Sequence, residues 1–164
     1  MSNTIKSWPD YHHRINLIYH AVIALSLVPF AIVFMDIDTG IDNESKISDS
    51  LEWVIVLSCA VATGMTSILV WKGAKERMSQ IDTDPTIKER LITYLKFQVK
   101  RYLWLELGAV LSLIGLWLTA NHILVITYLL VLVQFSFLRP SQDKVIRDLG
   151  FTKEERNALR NDEL

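Results

Sequence analysis

The sequence predicts an all-α integral membrane protein: four transmembrane helices in an up-down bundle, helices 2 and 3 extended as a cytosolic helical hairpin, and a short amphipathic C-terminal tail. Three observations carry this reading. Four blocks, Ile15–Met35, Leu51–Trp71, Leu103–Ala120 and Ile123–Leu138, are nearly free of charge. Backbone amides in lipid have only one another as partners, so such blocks must be helices, and about 20 apolar residues cross the hydrocarbon core. Finally, of 17 Lys and Arg all but Lys46 fall in three stretches: Lys6 and Arg14, Lys72 to Arg101, and Arg139 to Arg160.

That charge asymmetry sets orientation. Cations stay on the cytosolic side of a span, so both termini and the 72–101 segment are expected in the cytosol of a bacterial cytoplasmic (inner) membrane. The connection Asp36–Ser50 then lies outside. It is acidic, but it lacks the alternating ligands, the central glycine and the closing glutamate of a calcium loop. Residues 1–140 form the membrane domain, with spans at about 13–35, 51–71, 102–120 and 122–139, and residues 141–164 form the tail.

Taken in order, helix 1 opens at Ser7-Trp8-Pro9-Asp10, which has the form of a capping box, with Trp8 and Tyr11 expected at the lipid headgroups. Pro29 lies inside this span and removes one intrahelical bond, so a hinge is expected there. Helix 2 continues past Trp71 on an apolar side of Ala74, Met78 and Ile81. A turn at Asp82-Thr83-Asp84 feeds Pro85, whose missing N–H costs nothing at a first helical position. From Pro85 to Thr119 helix 3 would measure about 52 Å against a core of roughly 30 Å. A third of it must stand in water. Asn121 and His122 leave no room for anything but an antiparallel helix 4, which Arg139-Pro140 ends. The tail offers Val145, Ile146 and Leu149 at helical spacing, Gly150 as a stop, and Thr152-x-x-Glu155 as a second capping box. Two short amphipathic helices against the membrane or the hairpin fit this pattern.

Helix 3 carries a packing seam of small residues, Gly108, Ser112, Gly115 and Thr119, that lets another helix approach closely. Glu106 points roughly 160° away from it. Were both buried, helix 3 would be packed on two sides, by a central position or by oligomerisation. Polar residues inside spans are costly and mark functional candidates. Asn16, His20, Thr66, Tyr102, Glu106 and Gln134 all lie toward the cytosolic end of their helices and are the candidate residues of an inner-leaflet polar pocket. The plainer alternative has Glu106 bridging to Arg14 or His20.

Specific chemistries are poorly supported. Cys59 is the only cysteine, which excludes a disulfide or a thiol redox pair. His20 and His122 fall in opposite leaflets, too far apart to share a haem. No metal site, nucleophile triad, phosphate loop or aspartate pair can be assembled, and no cofactor is expected. The basic 72–101 segment is a mixed-sign face beside anionic inner-leaflet lipid rather than a nucleic-acid stripe. The favoured reading is a non-enzymatic interaction or assembly subunit, a homo-oligomer or part of a larger membrane complex, docking through the hairpin and tail. The alternatives are an oligomeric small-solute or ion channel or transporter using the polar pocket, and a lipid-headgroup-binding protein or membrane enzyme.

Overall fold

The structure, a computed structural model, describes residues 7–40, 46–78 and 86–161, leaving aside the side chains of 49, 73–78 and 160. Among the described residues six helices follow one another: α1 (Trp8–Asp38), α2 (Asp49–Met78), α3 (Ile87–Thr119), α4 (His122–Leu138), α5 (Gln142–Asp148) and α6 (Lys153–Arg160). Among the described residues there is no strand. α1, the Ser50–Lys72 part of α2, and α3 are each long and apolar enough to cross a membrane; α4 and α5, bent by 76°, add a fourth span if taken together.

α1 begins as its sequence dictates, with the Ser7 side chain accepting from the Asp10 amide and Pro9 in the first turn. It runs as one helix through Pro29, which is exposed, to Asp38. The expected start of helix 3 at Asp84-Pro85, and the contacts expected of Ala74, Met78 and Ile81, lie outside the described residues. α3 is described from Ile87, after Thr86, which makes no side-chain cap.

Helix directions follow from which residues touch. Ring centroids of Tyr19 and Tyr102 are 5.5 Å apart, and Ser26 reaches Glu106 at 3.1 Å, so α1 and α3 run parallel. Phe135 lies beside Tyr19, while Tyr128 stacks on Phe30 at 3.9 Å, so α4 runs against α1. Thr63 bonds Gly108 and Ser112 while the Lys46 amide reaches the Leu118 carbonyl, so α2 runs against α3. α3 is the centre of the arrangement: half of its most apolar window is buried, against 17% for α1 and 22% for α2.

Exposed large apolar side chains form a band. They run from Leu17 to Met35 on α1, Leu51 to Trp71 on α2, Leu103 to Trp117 on α3, and Ile123 to Phe137 on α4. α3 starts at Ile87, so its first four turns, about 24 Å, stand clear of that band. Their apolar side is covered by a second core, in which Trp8, Tyr11 and Ile15 of α1 pack with Leu91, Tyr94, Val145, Leu149, Phe151 and Leu159. Trp8 and Tyr11 are therefore packing residues rather than part of a headgroup belt. The tail, expected against either the membrane or the hairpin, lies along α3 with its apolar side turned inward.

Arg90 ties this core together. Expected among the solvent-facing charges of helix 3, it is 5% exposed. One guanidinium nitrogen bonds Glu155 Oε1 at 2.8 Å, another donates to the Leu149 carbonyl at the end of α5, and the group lies over the Phe151 ring. Charge-assisted bonds contribute about 1.5–3 kcal/mol each, and Arg supplies two from one rigid fork. Arg90→Ala should loosen the tail without unfolding the spans. Trypsin should then cut the full-length protein in nanodiscs at Arg147 and Lys153 about tenfold faster or more; an unchanged rate would mean that Arg90 does not hold the tail.

Candidate functional site

Polar side chains inside the apolar band are the place to look, because each must be accounted for in a medium without water. Glu106 comes from α3, on the side away from α2, and is 4% exposed. Ser26 Oγ of α1 donates to its Oε2 at 3.1 Å, and the Tyr128 hydroxyl of α4 donates to Ser26 Oγ at 3.3 Å. Glu106 thus joins three helices through a chain of hydroxyl protons all directed at the carboxyl. Its other oxygen, Oε1, is buried without a hydrogen-bond partner. Among the described residues no cation pairs with it. The bridge to Arg14 or His20 does not form: Arg14 pairs with Asp10 at 3.2 Å on its own helix, and His20 is exposed.

The opposite side of α3 is the small-residue seam, and α2 fills it. A Cβ on Gly108 would meet Thr66 Oγ1 at 2.6 Å and Thr63 Cγ2 at 3.3 Å; one on Gly115 would meet Leu124 Cδ1 at 2.7 Å and Cys59 Sγ at 3.0 Å. At both positions an added Cβ would force a neighbouring side chain to shift. Thr63 Oγ1 adds bonds to the Gly108 carbonyl and Ser112 Oγ, each 3.1 Å, while Thr119 Oγ1 returns to the Gly115 carbonyl at 2.9 Å. With Glu106 and the seam both buried, α3 is packed on two sides within a single chain.

The six candidate pocket residues fall in separate places rather than around one cavity. Asn16 and His20 bond within α1: Asn16 Nδ2 donates to the His12 carbonyl at 3.0 Å, and His20 Nδ1 lies 2.7 Å from the Asn16 carbonyl. Thr66 is folded back on the Thr63 carbonyl at 2.8 Å. Tyr102 donates to the Leu138 carbonyl at 3.3 Å. Gln134 lines an open groove of about 300 Å³ between α2 and α4, with Ala60, Thr63, Gly64, Ser67 and Thr127, and its Oε1 is buried without a partner. Glu106 alone among them joins side chains of two other helices, and both partners, Ser26 and Tyr128, escaped the sequence reading. Ser26 continues the Tyr19 stripe, seven residues on, but a helical serine also has its own backbone to bond, so its position alone does not mark it as a partner.

No family model, curated protein or solved structure matches this chain. Its chemistry therefore has to be taken from the geometry alone. Among the described residues no cluster of three or more His, Cys, Asp or Glu could hold a metal ion. The Glu106 bridge offers hydrogen-bond acceptance at one carboxyl oxygen, with the Ser26 and Tyr128 hydroxyls chained to the other.

The bridge makes a sharp energetic prediction. Ser26→Ala leaves two buried groups without their shared partner, which costs about 1–3 kcal/mol for each unsatisfied group. Ser26→Ala and Tyr128→Phe should be strongly non-additive in thermal denaturation, and Ser26→Ala with Glu106→Leu should recover most of the loss of Ser26→Ala alone. Additive losses across the Ser26–Tyr128 pair would show that the three groups do not act as a unit.

Proposed function

We propose that this protein is a four-span, up-down membrane bundle of a bacterial cytoplasmic membrane, both termini cytosolic, working as a non-enzymatic interaction or assembly subunit. One observation carries the reading. The first four turns of α3, the start of α1 and helices α5 and α6 share a core of their own beyond the apolar band. A rigid platform held off the bilayer is what a docking partner uses, because fixed side chains lose little entropy on binding. The exposed side of α3 carries Lys96 and Lys100 for such a partner. Arg90, being committed to the tail, drops out of that surface.

Assembly into oligomers has separate support. α2 presents two small-residue sides. Cys59, Thr63 and Thr66 are taken up by α3, while Ala60, Gly64 and Ser67 open on the groove beside α4. Among the described residues a Cβ on Gly64 would meet nothing within 4 Å, so none of them demands a glycine there. A second helix laid along that side would. The unpartnered oxygens of Glu106 and Gln134 favour a second reading, a small-solute or ion channel or transporter, in which Glu106→Gln would lower flux in proteoliposomes.

Two outcomes check the first reading. In a Cys59→Ser background, a membrane-impermeant thiol reagent should label Ser48→Cys and Lys100→Cys from opposite sides of inverted and right-side-out vesicles; labelling from one side would overturn the orientation. Purified in mild detergent, the protein should carry a stoichiometric partner or a second copy. Lys96→Glu with Lys100→Glu should remove the partner, and Gly64→Leu the second copy, each by tenfold or more; a lone monomer indifferent to both changes would sink the proposal.

A further inference from the structure

The outer sides of α5 and α6 enclose a cleft of about 570 Å³ lined by Asp143, Ile146, Arg147, Lys153, Arg156 and Asn157. That volume falls in the range of small-molecule sites, roughly 300–1,000 Å³. Three cations and one carboxylate leave the lining with a net charge of +2. The apolar side chains of these two helices are spent on the core against α3, so the cleft is a polar feature of the outer surface rather than a gap in packing.

Two of its cations have a defined setting. Arg156 Nε donates to the Phe151 carbonyl at 3.1 Å, which fixes its guanidinium and leaves its terminal nitrogens to serve as a fork. Arg147 stands 77% exposed, with only a 4.0 Å approach to Asp148, a carboxylate already engaged by the Tyr94 hydroxyl. Glu155 of α6 is turned to the core side, held by Arg90 and by its own capping box with Thr152. Planar guanidinium forks match the paired oxygens of a phosphate, and two of them with a lysine balance a doubly charged group.

Height above the membrane decides what kind of phosphate reaches it. Tyr94 bonds Asp148 and Arg90 bonds Glu155, eight and twelve residues before Tyr102 on α3, which Leu103 follows as the first exposed apolar residue of that helix. Those contacts lie about 12 and 18 Å along the helix from Tyr102. The headgroup layer adds only about 5–8 Å to each side of the hydrocarbon core. The α6 side of the cleft therefore stands in water, beyond lipid phosphates, while Asp143 in the first turn of α5 lies nearer the membrane, next to Lys144 on the Phe137 carbonyl.

We infer that the α5–α6 cleft, through Arg147, Lys153 and Arg156, binds a water-soluble phosphate-bearing ligand. This goes beyond the docking role and does not depend on it. Calorimetric titration of the full-length protein in zwitterionic nanodiscs with inorganic pyrophosphate should show saturable binding, and Arg147→Gln with Arg156→Gln should weaken it at least tenfold. Lys96→Gln, outside the cleft, should leave it unchanged. Should loss of the Phe151 contact disturb the tail, Arg147→Gln with Lys153→Gln, which touch no backbone carbonyl among the described contacts, decides the matter. In a parallel arm, native mass spectrometry counts phosphatidylglycerol retained from anionic nanodiscs. Absence of pyrophosphate binding, binding indifferent to the cleft variants, or phosphatidylglycerol retained through the cleft with no affinity for pyrophosphate would each overturn the assignment.

Discussion

A helix longer than the membrane is thick has to find a second environment, and α3 is such a helix. Its 33 residues span about 50 Å, against a hydrocarbon core of roughly 30 Å. Tilting and kinking absorb small mismatches, but an excess of some 20 Å is too large for that. The excess emerges at the N-terminal end, where Lys88, Arg90, Lys96, Lys100 and Arg101 resist burial in lipid. Once in water, the apolar side of those turns must be covered by other segments of chain. The start of α1 arrives because α1 runs parallel to α3, and the tail arrives because α4 ends at the same level. The second core is thus a consequence of one helix's length.

The same boundary poses a backbone problem at the end of α4. Pro140 supplies no N–H, and the last four carbonyls of any helix lack intrahelical donors. Each is met individually. Phe135 accepts from the Tyr19 hydroxyl, Ser136 from the Arg139 amide, Phe137 from Lys144 Nζ and Leu138 from the Tyr102 hydroxyl. Donors from α1, α3 and α5 therefore converge on one helix terminus where water is scarce. This fixes α4 against both parallel helices and pins the first turn of α5 beneath it. It also explains Tyr102, whose place inside a span had suggested a pocket: its hydroxyl serves as a cap.

Elements were legible in the sequence where one physical rule acted alone. Absence of charge marked the spans, proline and serine marked the start of α1, and the Thr152–Glu155 capping box was visible in the letters and is present in the structure. The site was less legible because polarity inside a span has several uses that composition does not separate. Asn16 and His20 satisfy themselves within α1, Thr66 folds onto its own helix, and Glu106 reaches across three helices. Telling these apart requires the rotation of each helix about its axis. A periodic apolar stripe gives that rotation, but almost every position of these helices is apolar, so the stripe is faint. Where the stripe was clear, as for Val145 and Leu149 in the tail, the buried side was readable.

Arg90 shows why rotation matters more than residue type. Between Glu89 and Leu91 its charge argued for a solvent-facing position, and by composition it was indistinguishable from Lys88 or Lys96. A lysine placed there would bring one compact charge on a flexible stem, whereas the guanidinium bonds a carboxylate and a carbonyl through two nitrogens and lies over an aromatic ring. The consequence extends to the outer surface of the tail. By holding Glu155, Arg90 keeps one α6 carboxylate on the core side, while Arg147, Lys153 and Arg156 line the cleft with Asp143 and Asp148 stands 4.0 Å from Arg147. One buried arginine therefore couples the packing of the second core to the electrostatics of the surface beyond it, and a change at Arg90 should be read at both.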